Sequence, residues 1–186
     1  MPAYVLDTGE VGELIAEIIE DHYPQLLELT STKGSIPALR FDVVFYYADK
    51  DQNGDVCGSG LKLHGYACLA IIKIIKLKDR CKGMGDVEIT IDGDAWMERG
   101  AAQRRALIDH ELYHLAPKTD SSGAYKRDDL RRPLFGMRLH DVDVGWFAAV
   151  ALRNGAASAE QIQAHQIVEN YHQELFPFVK QWDAAG

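Results

Sequence analysis

Cysteine is scarce in this chain. Only Cys57, Cys68 and Cys81 occur, an odd number with no C-x-x-C pair, which argues against a disulfide framework and fits a reducing compartment such as the cytoplasm. Basic charge is also short: 20 Lys and Arg stand against 28 Asp and Glu, for a net charge of −8. That balance argues against nucleic acid or an acidic membrane surface as a partner, because both need clustered cations. Long apolar runs are missing too. The most apolar segment, "CLAIIKIIKLK" (68–78), is short and carries lysines, so it does not span a bilayer. The N-terminus has no basic stretch leading into an apolar run, hence no expected signal peptide. Repeats, low-complexity tracts and long charge runs are absent as well, which removes disorder as the default for any long segment.

What is present is an ordinary globular mixture, 47% apolar and 26% charged over 186 residues. It is enough for one domain with a substantial core. Val11, Leu14, Ile15, Ile18 and Ile19 fall at helical spacing, so residues 10–29 read as an amphipathic helix that ends or kinks near Pro24. A loop follows at 31–37. "RFDVVFYYA" (40–48) reads as a strand, 49–55 as a turn and 61–78 as a strand rich in β-branched residues. "DVEITID" (86–92) alternates cleanly, so 64–91 reads as a hairpin turning at 82–85. A helix is expected over 101–115, its stripe of Ile108, Leu112 and Leu115 facing the core and a second face carrying polar chemistry. Residues 117–137 read as a long surface loop, and 139–155 as a helix stopped at Gly155. The capping-box pattern "SAEQ" (158–161) opens a last helix reaching about 182.

The chemistry is concentrated in "ALIDHELYHL" (106–115). His110, Glu111 and His114 spell H-E-x-x-H, which sets two histidines one turn apart on a helix face, able to share one zinc ion about 2 Å from each ring nitrogen. Glu111, rotated by one position, falls where a general base for hydrolysis belongs. Catalytic zinc ordinarily has a third protein ligand. The metzincin pattern would need Gly and His where this chain has Pro117 and Asp120. A peptide-deformylase-like arrangement would draw on Cys57, Cys68 or Cys81, without that family's surroundings. "RLHDVDVGWF" (138–147) offers His140, Asp141 and Asp143. His140 is the preferred third ligand, Asp141 or Asp143 could orient a ligand histidine, and Glu169 and Glu174 are further candidates. For an extra oxyanion donor the sequence offers Tyr113, Tyr125, Arg138 and His165.

Two patterns look like sites and read better as structure. "DKDQNGDVCGSG" (49–60) matches the first half of an EF-hand loop but has Gly60 where a bidentate Glu is needed, so a β-turn around Asn53-Gly54 is expected. His165 and His172 lie two helical turns apart, too far to share one ion unaided. "KRDDLRR" (126–132) could touch a phosphate and is more simply a solvated loop.

The run from "LKDRCKGMGDVEITID" through "ALIDHELYHL" to "LHDV" resembles the putative phage metallopeptidase family over roughly residues 10–155. The resemblance implies zinc held by the residues matching His110, His114 and His140, and a small zincin-like α+β core. The expected fold is therefore α+β: a small antiparallel sheet packed on the H-E-x-x-H helix, with flanking helices. Residues 1–155 would form the metallopeptidase domain, and 156–186 a C-terminal helical extension packed on it. The expected activity is Zn²⁺-dependent hydrolysis of a peptide or protein amide bond with Glu111 as catalytic base, and the expected partner is a peptide or protein substrate, with no nucleic acid or membrane. The competing reading is a non-catalytic, zinc-stabilised phage accessory or host-protein-binding protein. The sequence leaves the oligomeric state open.

Overall fold

A computed structural model describes residues 3–31, 37–58, 60–140 and 147–166. In chain order the elements are β1 (Ala3–Leu6), α1 (Glu10–His22), α2 (Pro24–Leu27), β2 (Phe41–Tyr47), β3 (Lys62–Leu63), β4 (Tyr66–Ala67), β5 (Ala70–Ile74), α3 (Leu77–Arg80), β6 (Val87–Asp92), α4 (Gly93–Met97), α5 (Ala101–Tyr113), β7 (Leu115–Pro117), β8 (Phe135–Met137) and α6 (Ala148–Asn154). A further helix opens at 159 and is described as far as 166. Small sheets and several helices make this an α+β fold.

The principal sheet has the order β1-β2-β6-β5. It is mixed, where an antiparallel sheet was expected: β2 pairs with β6 in parallel, and β1 and β5 flank them antiparallel. Composition accounts for the order. Val87, Ile89 and Ile91 of β6 are all fully buried, so β6 takes a central place, and its hairpin partner β5, which carries the exposed Lys73, is left at the edge. The register aligns Val43, Ile89 and Ile72 across three strands, and all three are buried in one cluster with Val11, Ile15 and Leu112. The strand expected over 61–78 is only partly strand: it divides into the short β3–β4 pair, the edge strand β5 and the turn of helix α3.

Helix α5 is more enclosed than a two-faced surface helix. Ala106, Leu107, Ile108, Asp109, Glu111 and Leu112 are all buried. Leu107, Ile108 and Leu112 join the core cluster, and α6 packs along the helix as well. Asp109 explains how α6 is held. Its carboxylate accepts from Arg153 (Nη2 2.6 Å, Nε 3.1 Å), from Asn154 Nδ2 (2.7 Å) and from the Tyr23 hydroxyl (2.5 Å). Three segments far apart in sequence thus meet on one buried acid. Burial and the neighbouring Asp109 charge push the Tyr23 phenol far up, so it stays a protonated donor.

Residues 117–137 are not a loose loop. β7 and β8 pair antiparallel, and bridges at Thr119–Tyr125 and Arg127–Pro133 extend the folding back and forth. The segment 126–132, read from sequence as solvated or phosphate-touching, is anchored inward. Arg132 is buried and bonds Asp86 (Nη2 2.8 Å), and Asp128 pairs with the buried Arg80 at 2.9 Å. Asp86, fully buried, also accepts the Arg40 amide at 2.9 Å. These ion pairs fasten the excursion to the sheet and return the chain beside the end of α5, where the Arg138 amide donates to the His114 carbonyl at 2.7 Å.

At 49–58 the structure has the expected turn: Asp51 Oδ1 accepts the Asn53 and Asp55 amides at 2.8 and 3.0 Å. None of the described helices is long and apolar enough to cross a membrane.

Candidate metal centre

His110 is in the last turn of α5, and His114 continues the helical backbone as its C-cap, so the i, i+4 spacing survives although the helix ends there. Pro117 lies just beyond, inside β7, where helix cannot continue. His140 arrives from the other direction, on the segment that leaves β8. It does not sit on the following helix, as sequence reading had it. That helix begins at Ala148, and residues 141–146 fall outside the described residues, as do Glu169, His172 and Glu174. The three histidines offer one ligand nitrogen each, all within 4.8 Å of one another. Among the described residues this is the group of His, Cys, Asp and Glu side chains able to hold an ion. Cys57, Cys68 and Cys81 are free thiols and are not part of it.

Each helix histidine is tied down through the nitrogen that faces away from the cluster. His110 Nδ1 is 2.7 Å from Glu160 Oε1, and His114 Nδ1 is 2.8 Å from the Arg138 carbonyl. Nε2 of each ring is thereby left for a ligand role. His110 Nε2 and His140 Nε2 are 3.3 Å apart. Two nitrogens bound tetrahedrally to zinc at about 2.05 Å would be about 3.3 Å apart. The donor set suits zinc, and the His110–His140 pair has the spacing that a shared ion requires.

Phe147, fully buried, forms the floor. Its ring centroid is 4.9, 4.6 and 4.8 Å from those of His110, His114 and His140. Burial lowers the His114 pKa to about 4, helped by its histidine neighbours and opposed by the Arg138 carbonyl, so the ring is neutral near pH 7. For His110 burial also works against the charged form, but Glu160, Glu111 and Asp109 outweigh it and the pKa is raised.

Glu111 is buried beside this cluster. Burial pushes its pKa up to about 7, while His110 and the Ile72 backbone amide draw it down. Ile72 belongs to the edge strand β5, so the carboxylate sits between the histidines and that edge. A cleft of about 1300 Å³ opens here, lined by His110, Glu111, His114, His140, Ile71, Tyr66, Glu160 and Gln163 among others. Of the four oxyanion candidates named from sequence, Tyr113, Tyr125, Arg138 and His165, none lines the cleft. Tyr125 bonds Glu28 at 3.0 Å, and Arg138 lies over the Tyr113 ring at 4.2 Å and bonds the Tyr113 carbonyl. Sequence reading missed Glu160 and Phe147. Glu160 was hidden inside the "SAEQ" capping pattern, where Ser158 does cap the helix by accepting the Gln161 amide at 3.1 Å.

Three imidazoles converging next to a buried carboxylate, at the bottom of a cleft, define a metal-competent centre of the H-E-x-x-H kind. The comparison with protein families agrees with it. The family described as "Putative phage metallopeptidase" matches residues 4–172, and the chain belongs to that family. The match runs further toward both ends than residues 10–155, and it takes in Glu160. No curated protein and no solved structure gives a significant match.

Proposed function

We propose that this chain is a zinc-dependent metallopeptidase of phage or prophage type, with His110, His114 and His140 as the metal ligands and Glu111 as the catalytic base. The observation that carries this reading is the convergence of three imidazole nitrogens within 4.8 Å, beside a buried carboxylate in an open cleft. Zinc, when bound, supplies Lewis acidity, lowering the pKa of water and polarising a carbonyl. The rest is work for the chain itself. Glu111, with a pKa near neutrality, takes a proton from the attacking water and hands it to the departing amine. Ile72 and His110 hold the Glu111 carboxylate in place. Among the described residues β5 is an edge strand of the sheet, and its Ala70, Ile71 and Ile72 line the cleft, a place suited to an extended peptide that adds as a strand.

In this reading residues 1–155 form the catalytic domain, working in the cytoplasm, and 156–186 pack on it as an extension. The 2.7 Å contact between Glu160 and His110 supports that arrangement. The decisive experiment measures zinc per chain for wild type and His140→Ala, together with cleavage of a quenched-fluorescence peptide library. About one zinc per wild-type chain, sharply reduced in the variant, with cleavage of some library peptides, is the expected result. Zinc without any cleavage favours the non-catalytic accessory protein. A wild type that cannot be loaded overturns the metal reading.

A further inference from the structure

We propose that Glu160 is a positioning residue of the metal centre: its carboxylate fixes the His110 ring so that Nε2, bare of hydrogen, is the nitrogen offered to the ion. The inference rests on the zinc reading above and adds a role for a residue far outside the H-E-x-x-H signature.

The geometry defines the role. Glu160 Oε1 meets Nδ1 of His110 at 2.7 Å, and Nε2 of the same ring lies 3.3 Å from His140 Nε2. The carboxylate and the cluster therefore occupy opposite sides of the imidazole. Glu160 cannot be a fourth ligand from this position. It can be the acceptor that makes Nδ1 the protonated nitrogen. A carboxylate hydrogen-bonded to a ligand histidine in this way fixes the tautomer and ring orientation and raises the ring's basicity.

Burial explains why the contact is specific. The Glu160 side chain is 2% exposed, and an unpaired carboxylate that deep would be strongly unfavourable. Its compensation is His110, together with a place in the first turn of a helix, where free amides and the helix dipole favour negative charge. His114 has a different anchor, the Arg138 carbonyl. The two helix histidines are thus held by a charged and a neutral acceptor respectively, and the pull on the ring is stronger at His110.

The test compares wild type, Glu160→Gln and Glu160→Ala in three readouts: ring tautomers by ¹⁵N NMR of the metal-free protein, zinc affinity by chelator competition, and zinc coordination number by X-ray absorption. Glutamine keeps the size and can still accept from Nδ1–H, so it carries the test if the alanine variant does not fold. Wild-type His110 is expected in a single Nδ1–H tautomer. Glu160→Ala should show a tautomer mixture and zinc affinity lower by about 10- to 100-fold. Glu160→Gln should keep the tautomer with a smaller loss, and the coordination number should be the same in all three. A role confined to packing would not move the tautomer. Unchanged tautomer and affinity in both variants overturn the proposal while the zinc reading stands. A coordination number that drops in the variants also overturns it, because Glu160 is then a ligand. A folded wild type that takes up no zinc removes the metal reading and this inference together.

Discussion

Asp109→Ala removes the single acid on which Tyr23, Arg153 and Asn154 converge. The acid is 1% exposed, whereas its Arg153 partner lies at the surface, with 26% of that side chain exposed. Breaking a buried pair by deleting one member costs about 3–5 kcal/mol. Arg153 regains some water, so the lower end applies, about 3 kcal/mol. For a chain of this size that corresponds to a melting temperature lower by about 6–12 °C. Tyr23→Phe is the control. It deletes one hydroxyl and leaves Asp109 bonded to Arg153 and Asn154, so about 1 kcal/mol is expected. Urea unfolding of wild type, Asp109→Ala, Arg153→Ala and the Asp109→Ala/Arg153→Ala double variant measures the coupling directly. Loss of α6 anchoring should also weaken zinc binding, because Phe147 precedes that helix. If Asp109→Ala unfolds within about 0.5 kcal/mol of wild type, the picture of a buried acid clamping three segments is wrong.

Glu111→Gln should retain zinc at the wild-type stoichiometry and lose peptide cleavage by at least about 100-fold, as expected when a general base is removed; full activity with zinc in place would refute the assigned base. Zinc retention should fall on acidification, and in the metal-free protein His110, whose pKa is raised, should protonate before His114. His114, lowered to about 4, follows only at stronger acid; a protonated imidazole cannot ligate, so zinc is lost toward low pH, retention in a pH series checks the loss, and an NMR titration of the metal-free protein checks the order. Phe147→Ala opens a cavity under the three histidine rings and should cost about 3–5 kcal/mol in denaturant unfolding, with weaker metal binding as a second effect.

The elements legible in the sequence are those whose pattern is local. The break of the first helix at Tyr23–Pro24, the strand around Val43, the alternating β6 and the motif helix all lie within a residue or two of their expected places. β1 was not legible, because all four of its residues are exposed and leave no inside-outside alternation to read. The β7–β8 pairing was not legible either. Its ladder is interrupted by polar turns, and its anchors, Arg80 to Asp128 and Asp86 to Arg132, join residues 46–48 positions apart. The parallel pairing of β2 with β6 depends on which strand buries most, a comparison between segments that periodicity within one segment does not make. At the candidate centre, the motif marked His110, Glu111 and His114, and proximity in sequence suggested His140. Glu160 lies 50 residues from its partner, on a stretch whose local pattern already had a sufficient explanation as a helix cap.

The return of the chain from β8 to the end of α5 means that the centre is completed late in synthesis. The signature motif is complete once residue 114 has been made. The third histidine lies beyond the 117–137 excursion in the chain, and Glu160 is made later still. A nascent or truncated chain ending before residue 140 would display the family's most recognisable letters and yet lack the constellation. If the centre cuts amide bonds, it stays silent until those residues have been made, and metal uptake becomes a report that His140 and Glu160 have reached the helix.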